Sequence, residues 1–193
     1  MMDERPMILF VGKLIPKKQP LLLLEAYRRL RERVPCAMLF VGDGELRTEM
    51  ERYILSNAMT DVRMSGFLTQ TEVPKAYAAS DVFVLPSTCG ETWGLAVNEA
   101  MNFGLPVVVS DVVGCAGDLV RDGENGHVFC AEDVDAMGRV LERLVEQANM
   151  RTQYGLRSQE IIAGWGISQT AGGIVEAAVS VSENKHLRLG ERI

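Results

Sequence analysis

The sequence predicts an α/β protein, a three-layer α/β/α domain with a six-stranded parallel sheet at its centre. Short apolar runs rich in β-branched residues alternate with longer segments of helical period, as expected for parallel strands joined by crossover helices. The 193 residues suffice for one domain with a buried core. Apolar residues make up 47% and charged residues 24%, which is typical of globular domains.

Six continuous apolar runs predict the strands, because strands covered by helices on both faces are apolar along their whole length. In chain order these runs are residues 7–12, 37–42, 62–66, 82–86, 106–110 and 126–129. The alternation of the runs with helical segments predicts that every strand pair is parallel.

Helical periodicity fills the gaps between the runs. Apolar residues recur at helical spacing in residues 23–34, after Pro20, and in residues 44–58. From about Val134 three more helices are expected, ending near Gln147, before Gly164 and at Val181. We therefore assign residues 7–181 to one domain, residues 1–6 to a leader and residues 182–193 to a frayed tail.

Charge and cysteine content limit the classes of function. The net charge of −6 argues against a nucleic-acid partner, since phosphate neutralisation needs clustered lysine and arginine. The four arginines of residues 25–34 fit a solvated helix face better than a contact with anionic lipid. The four cysteines show no C-x-x-C pairing, and neither a signal peptide nor a membrane-spanning run is recognisable. We expect reduced thiols and a cytoplasmic location.

Four loops that follow strands carry unusual residues, and in parallel sheets ligands bind beyond the carboxyl ends of the strands. The loop after the first strand holds Lys13 and Lys18 next to Gly12. Two cations above a strand end suit a diphosphate. Taken alone, the same loop would also be explained by solvated lysines ahead of a helix.

The loop after the second strand is a glycine turn. Gly42 and Gly44 form G-x-G, but Arg47 stands where a dinucleotide-binding motif needs its third glycine. This difference argues against an NAD-dependent oxidoreductase. Asp43 and Glu45 are best explained as complements of the following helix dipole.

The loop after the third strand contains Gly66, Phe67 and Leu68, ahead of a helix that Thr71 is expected to cap. A loop of this kind can cover the flat face of a base and read its edge with main-chain groups. The signal is weak when this loop is considered by itself.

The fourth loop, residues 86–94, leads into a helix predicted over residues 95–103. Unbonded N–H groups at its start would stabilise a phosphate; they belong to Gly94, Leu95 and Ala96. Glu91 in the loop and Glu99 inside the helix would flank one elongated ligand. Helix-dipole complementation is the alternative for Glu91. Glu99 lies in a mostly apolar helix, where an unpaired carboxylate is costly, and this favours a ligand-binding role over a solvent-facing one.

These motifs together resemble a known family. The stretches VGKLIPKKQP, VGDGELR, SGFL, SDVFVLPS, GETWGLAVNEAMNFGLPVVVSDVVG and LVRDGENGHVF are similar to the carboxyl-terminal, donor-binding domain of retaining glycosyltransferases of family 4, the glycosyl transferases group 1. The resemblance covers about residues 7 to 181. It implies a Rossmann-like domain that forms one half of a GT-B fold.

The resemblance implies a role for each charged residue. Lys13, which stands where the family usually has arginine, would with Lys18 hold the donor diphosphate and stabilise the leaving group. Lysine lacks the bidentate fork of arginine, so the share of Lys13 is expected to be smaller. Glu91 would accept hydrogen bonds from hydroxyls of the transferred sugar. Glu99 would hold the ribose hydroxyls.

The remaining donor contacts implied by the resemblance come from main-chain and apolar groups. The N–H groups of Leu95 and Ala96 would bind the distal phosphate, and Phe67 and Leu68 would contact the base. Backbone at Thr92, Trp93 and Gly94 would lie beside the sugar, and the family usually has phenylalanine or tyrosine where Trp93 stands. Three further glycines would complete the site, namely Gly12, Gly42 and Gly66.

The resemblance also implies the activity: transfer of a hexosyl group from a nucleotide-diphosphate sugar, such as a UDP- or GDP-hexose, to a glycan or lipid-linked acceptor in polysaccharide biosynthesis. No metal and no cofactor are expected. Family members have an N-terminal acceptor-binding domain that this chain lacks, so we expect the isolated chain to be inactive. Peripheral membrane contact is expected only through the full-length protein, and weak homodimerisation through the exposed last helix.

Two alternative functions remain open. One is a non-catalytic sugar-nucleotide-binding subunit, and the other is a sugar-nucleotide epimerase-like enzyme on the same fold.

Other residues that suggest chemistry have simpler explanations. The D-x-D at Asp133 to Asp135 precedes a helix and is expected to cap it. Cys89 has no base near it in the motif and is taken as a small packing residue. His127 and His186 are taken as structural and solvated, respectively.

Overall fold

The computed structural model describes the backbone of residues 5–190 and the side chains of residues 5–181. All six predicted strands form, each within one residue of the predicted bounds. They are β1 (Met7–Val11), β2 (Ala37–Val41), β3 (Val62–Gly66), β4 (Val82–Leu85), β5 (Val107–Ser110) and β6 (Gly126–Phe129). Every pair is parallel, as predicted.

The helices follow the predicted order. They are α1 (Pro20–Arg31), α2 (Arg47–Ser56), α3 (Val73–Ala78), α4 (Leu95–Asn102), α5 (Ala116–Leu119), α6 (Val134–Glu146), α7 (Ala148–Ile162) and α8 (Ile167–Gly190). A short 3₁₀ helix over Pro16–Lys18 and the single-turn α5 are the elements that the periodicity did not predict. Both are too short to display a helical period.

The strand order β3-β2-β1-β4-β5-β6 reverses direction at β1. The chain moves outward from β1 to β2 on one side and from β4 to β5 on the other. Because crossovers between parallel strands are right-handed, the connecting helices α1 and α4 lie on opposite faces of the sheet. Sheets of this kind bind ligands in the crevice at the point of reversal, which here lies between the loops after β1 and β4.

A continuous apolar core fills both faces of the sheet. Phe10 and Phe40 on adjacent strands pack with ring centroids 5.6 Å apart, and both are fully buried. Helix α1 packs on α6, and α4 packs on α7. Tyr27 of α1 is also fully buried, and its hydroxyl donates to the carbonyl of Cys36 at 3.0 Å. The domain therefore has three layers, with helices on both faces of one sheet, as the sequence predicts.

The end of the chain differs from the prediction. Helix α8 continues to Gly190, past the end expected at Val181. Residues 1–4 of the predicted leader and residues 191–193 of the predicted tail lie outside the described residues. Large apolar side chains on α8 are exposed, including Ile167, Ile174 and Val175. Within residues 5–190, no helix has both the length and the apolar character needed to cross a bilayer.

Candidate functional site

A cleft of about 650 Å³ opens at the carboxyl edge of the sheet. It lies between the loops after β1, β2 and β3 and the side of α4. Six of the predicted site residues line it: Gly12, Lys13, Gly42, Phe67, Leu68 and Glu99. We call this space the nucleoside cleft. Lys13 is exposed there, and no acidic group in the described part of the chain forms an ion pair with it.

Glycine forms the floor of the nucleoside cleft because two loops come too close for a side chain. Gly42 has a φ of +133°, and a Cβ on it would lie 1.9 Å from the carbonyl oxygen of Gly12. The loops are joined where the N–H of Leu14 donates to the carbonyl of Asp43 at 2.9 Å. The G-x-G of the second loop therefore serves close packing of two loops.

The loop after β3 forms the outer wall of the nucleoside cleft. Phe67 is 78% exposed, whereas Leu68 is partly buried. The prediction that Thr71 caps α3 is wrong. Instead both the N–H and the hydroxyl of Thr69 donate to Glu72, at 2.9 and 2.7 Å, and Glu72 directly precedes the helix. The Thr-x-x-Glu spacing is that of a capping box, of which the half from the Thr69 N–H to the Glu72 carboxylate forms here.

Lys18 and Glu91 form an ion pair beside the cleft, although 73 residues separate them. Their side chains are only 16% and 14% exposed, and Ser87 also donates to the same carboxylate oxygen at 3.3 Å. Lys17 supports the contact, because its ammonium donates to the carbonyl of Gly90 at 3.3 Å. Its own carbonyl accepts the N–H of Thr88 at 2.9 Å. The loops after β1 and β4 are thus joined to each other.

The loop after β5 holds the other side of residues 86–94. The N–H of Gly114 donates to the carbonyl of Glu91, and that of Cys115 donates to the carbonyl of Trp93, both at 2.9 Å. A Cβ on Gly114 would lie 2.0 Å from the carbonyl oxygen of Thr92. Only glycine therefore permits this contact. We call residues 86–94, held between these neighbours, the Glu91 loop.

Helix α4 begins at Leu95, as predicted, with Gly94 before it at a φ of +99°. No protein group in the described residues accepts the N–H groups of Gly94, Leu95 or Ala96, and no side chain caps the helix. The Leu95 side chain is 70% exposed. The positive end of the helix is therefore open to a ligand, which is the arrangement that binds phosphate elsewhere.

Glu99 does not fit the environment predicted for it. The residue is exposed, so the expected cost of burying an unpaired carboxylate does not arise. Its carboxylate has a protein partner, because the hydroxyl of Tyr77 donates to Oε2 at 2.7 Å. Glu99 nevertheless lines the nucleoside cleft, where the sequence predicted a hydroxyl-binding carboxylate.

The Trp93 side chain lies apart from the nucleoside cleft. Its indole N–H donates to Asn98 Oδ1 at 2.8 Å, and its ring centroid lies 5.5 Å from that of Trp165. Both tryptophans line a separate apolar hollow of about 590 Å³ against the start of α8.

The remaining candidates have structural explanations, with one correction. Asp133 caps α6 by accepting the N–H of Ala136 at 2.8 Å, as predicted. His127 is buried and lies 3.1 Å from Asp122 Oδ1. Cys89 is exposed, so its interpretation as a packing residue is wrong. The side chain of His186 lies outside the described residues.

No disulfide is present among the described cysteines, and burial raises the pKa of Cys115 to about 12. In the same part of the chain, no group of three or more His, Cys, Asp or Glu side chains is placed to hold a metal ion. The structural data thus give no indication of a reactive thiol pair or a metal cluster within residues 5–181.

Sequence reasoning missed residues that hold the site together. Tyr77, Ser87 and Gly114 each contact a predicted site residue, and Lys17 contacts Gly90, the neighbour of Glu91. Tyr77 has the spacing of an ordinary core residue of α3. Gly114 falls in the stretch SDVVG that supports the family resemblance, and this was the one available signal. Lys17 acts across loops that are distant in sequence, whereas Ser87 lies in the Glu91 loop itself, four residues before Glu91.

Solved structures with the same fold include glycosyltransferases. HepE from Anabaena, in complex with UDP and glucose, has a TM-score of 0.81 at 22% identity and covers 91% of this chain and 48% of its own. The C-terminal domain of a glycosyl transferase group 1 protein from Francisella tularensis has a TM-score of 0.78 at 19% identity. It covers 84% of this chain and 87% of its own. This chain therefore has the Rossmann-like α/β fold of one half of a GT-B structure.

Curated relatives extend beyond this chain. The sulfoquinovosyl transferase SQD2 of Arabidopsis thaliana is 34% identical over 160 residues, which are 81% of this chain and 30% of the relative. The UDP-Gal:alpha-D-GlcNAc-diphosphoundecaprenol alpha-1,3-galactosyltransferase of Escherichia coli is 30% identical over 91% of this chain and 46% of its own length. The chain thus spans less than half of either relative.

The family model described as glycosyl transferases group 1 matches residues 2–160. This range includes all six strands, the nucleoside cleft and the Glu91 loop. The match agrees with the family that the sequence motifs resemble. The chain belongs to the glycosyl transferases group 1 family.

Proposed function

We propose that this chain is the donor-binding domain of a retaining glycosyltransferase and that it binds a nucleotide-diphosphate sugar along the carboxyl edge of its sheet. One observation carries the proposal: the Lys18–Glu91 pair and the open start of α4 lie next to a cleft bordered by Glu99. A cation, a helix end and two carboxylates at one sheet edge match the alternating anionic and hydroxyl groups of such a ligand.

The ligand would lie with its base and ribose in the nucleoside cleft and its sugar at Glu91. Phe67 and Leu68 offer apolar surface to the base. Glu99 would accept from the ribose. The diphosphate would then pass Lys13 and the N–H groups of Leu95 and Ala96. In support, HepE, which has the same fold, was solved with UDP-glucose.

The proposed chemistry needs stabilisation of the leaving diphosphate. Lys13, Lys18 and the positive end of α4 supply fixed positive charge, which is the usual role of electrostatic groups at a departing anion. The acceptor hydroxyl would attack from the face that the diphosphate leaves, and the diphosphate would take its proton. This route uses no protein nucleophile and no metal ion.

Glu91 would act on the sugar while held by Lys18. The ion pair occupies one carboxylate oxygen, Oε2, together with Ser87. The other oxygen remains for a sugar hydroxyl. Since the pair is mostly buried, the carboxylate would keep one orientation before the ligand arrives, and this lowers the ordering cost of binding.

We further propose that the acceptor site belongs to an N-terminal domain of a longer, cytoplasmic enzyme of polysaccharide biosynthesis. The isolated chain would then bind its donor and transfer no sugar. Orientation of donor and acceptor together can contribute on the order of 7–11 kcal/mol to lowering a barrier, and half of that arrangement would be missing.

Calorimetry with UDP, UDP-glucose, GDP and GDP-mannose in the presence of EDTA tests the binding claim. We expect one nucleotide pair to bind and to raise the melting temperature. Absence of binding by all four, or binding that requires Mg²⁺ or Mn²⁺, would contradict the proposal. Chromatography of the bound sugar after incubation distinguishes an epimerase, which would change its configuration.

Radiolabelled sugar transfer to a mixture of glycan and lipid acceptors tests the second claim. The chain alone is expected to give no product. Robust turnover by the chain alone would show that the site is complete without another domain. Donor binding by the chain, combined with no sugar transfer by the full-length protein, would favour the non-catalytic subunit instead.

Exposed apolar residues on α8 support weak self-association as a further part of the proposal. Ile167, Ile174 and Val181 are all exposed on this helix. Exposed apolar strips of this kind commonly mark an interface. Sedimentation velocity at rising concentration is expected to show a rise in weight-average mass that Ile174→Glu suppresses. A concentration-independent monomer would remove this part of the proposal.

A further inference from the structure

Tyr77 is a buried residue that contacts the nucleoside cleft only through Glu99. It lies on α3 and is 1% exposed, and its hydroxyl donates to Glu99 Oε2 at 2.7 Å. The next nearest acceptor, the carbonyl of Ala96, is 3.5 Å away. A phenol has one proton to donate, so the shorter contact with the carboxylate holds it.

The Tyr77 hydroxyl reaches the carboxylate from the side away from the cleft. Glu99 lines both the nucleoside cleft and a second cavity of about 310 Å³. Tyr77 lines the second cavity but not the nucleoside cleft. Without this contact the flexible glutamate could turn into either space. Among the described residues, no protein group hydrogen-bonds Glu99 Oε1. One oxygen is thus held from behind, and the other remains for a ligand.

The hydroxyl of Tyr77 is held firmly. Its ring stacks on Phe103 with centroids 5.5 Å apart and planes at 16°, and it also contacts Phe83 at 6.1 Å. Burial and the neighbouring carboxylate raise the pKa of Tyr77 far above its usual range. The phenol therefore stays protonated and remains a donor at neutral pH.

We propose that Tyr77 is the positioning residue for ribose recognition, fixing the Glu99 carboxylate so that Oε1 faces the ribose hydroxyls. This inference rests on the proposed function, because it assigns a specificity role to the same site. The expected signature is selectivity: loss of the Tyr77 hydroxyl should weaken nucleotides that carry ribose hydroxyls and leave those without them unaffected.

Tyr77→Phe tests the inference with two probes: UDP or GDP, whichever the wild-type chain binds more tightly, and the 2′,3′-dideoxy form of that nucleotide. Hydrogen bonds to a charged group are worth enough that we expect the ribonucleotide Kd to rise about fivefold to tenfold. The dideoxy Kd should not change. In a Glu99→Ala background, Tyr77→Phe should have no further effect on either probe, because the two residues act as one unit.

Tyr27→Phe is the matched control. Tyr27 is equally buried, and its hydroxyl makes a hydrogen bond to the Cys36 carbonyl far from the cleft. This variant loses a phenol of the same kind and should bind both probes as the wild type does. Melting temperatures of both variants report any general loss of packing.

The outcomes separate this inference from the function on which it rests. If the wild-type chain binds no nucleotide, the proposed function fails. If it binds and Tyr77→Phe weakens both probes equally, Tyr77 is merely structural and the inference is overturned. An unchanged ribonucleotide Kd in Tyr77→Phe overturns it as well. Loss confined to the ribonucleotide, and absent in Tyr27→Phe, supports it.

Discussion

The Glu91 loop and the outer wall of the nucleoside cleft lie on the same sheet edge but are held very differently. The Glu91 loop is hydrogen-bonded to the loops on both sides, because the N–H of Thr88 donates to the carbonyl of Lys17 and the carbonyl of Glu91 accepts the N–H of Gly114. In the outer wall, by contrast, Phe67 and Leu68 make no hydrogen bond within the described residues, and Phe67 is 78% exposed. One end of the site is fixed by its neighbours, and the other is open.

This difference bears on what each end would recognise. A sugar and a diphosphate require fixed polar groups, because misplaced donors and acceptors contribute little to the free energy of binding. A base offers a flat face that an apolar wall can cover with little directional demand. We therefore expect substitutions in the Glu91 loop to have large effects on binding, and substitutions in the outer wall to have small ones.

The largest effect is expected at the contact between Gly114 and Thr92. An added Cβ would lie 2.0 Å from a backbone oxygen, and backbone cannot move aside as a flexible side chain can. Overpacking of this kind costs roughly 2–3 kcal/mol. Gly114→Ala should therefore weaken the nucleotide sugar bound by the wild type roughly thirtyfold to 150-fold, measured by calorimetry.

Gly117→Ala is the matched control for this substitution. Gly117 lies three residues further along, and a Cβ there would meet nothing within 4 Å. It should bind the nucleotide sugar as the wild type does. If both variants bind equally well, the Glu91 loop is not held as described, and the contrast between the two ends of the site is lost.

The next largest effect is expected at Lys18. Its charge faces both Glu91 and the proposed diphosphate, and charge-assisted contacts are worth roughly 1.5–3 kcal/mol each. Lys18→Ala should weaken nucleotide diphosphate about tenfold or more. Lys75→Ala, which removes an exposed lysine on α3, should not. An unchanged Kd in Lys18→Ala would contradict the assignment of the diphosphate to this cation.

The sequence predicted the fold better than the contacts within the site. Six strands could be read from the apolar runs because burial on both faces dictates their composition locally. The start of α4 at Leu95 followed from the loop of small residues before it. Each of these features is determined by residues that are neighbours in sequence.

The contacts that the sequence could not supply join distant segments. Lys18 and Glu91 are 73 residues apart, and Tyr77 and Glu99 are 22 apart. Which of several lysines meets a given glutamate depends on how the loops cross above the sheet. The exposure of Glu99 was predicted wrongly for the same reason, since an apolar helix does not by itself reveal which of its sides is covered.

The two glutamates provide a sharper comparison of the two ends. Glu99→Ala should weaken both the nucleotide and the nucleotide sugar about fivefold, because both carry the ribose. Glu91→Ala should weaken only the nucleotide sugar, also about fivefold, because the sugar is absent from the other ligand. Calorimetry with both ligands gives four Kd values. Equal losses for both ligands in both variants would show that the glutamates are structural.

The smallest effect is expected at Phe67, in the open wall. Contact between an aromatic side chain and a base is worth about 1–3 kcal/mol when the two stack fully, but a side chain this exposed gains only part of that value. Phe67→Ala should weaken the nucleotide about threefold, which is below the lower end of that range.

The melting temperature of Phe67→Ala without ligand should match that of the wild type, because an exposed ring contributes little to the core. Leu55→Ala is a suitable control, since Leu55 on α2 is also highly exposed and lies outside the residues that line the cleft. It should leave nucleotide binding unchanged. A loss at Phe67 as large as that at Gly114 would show that the outer wall is as organised as the Glu91 loop, and that exposure is a poor guide to how firmly this site holds its ligand.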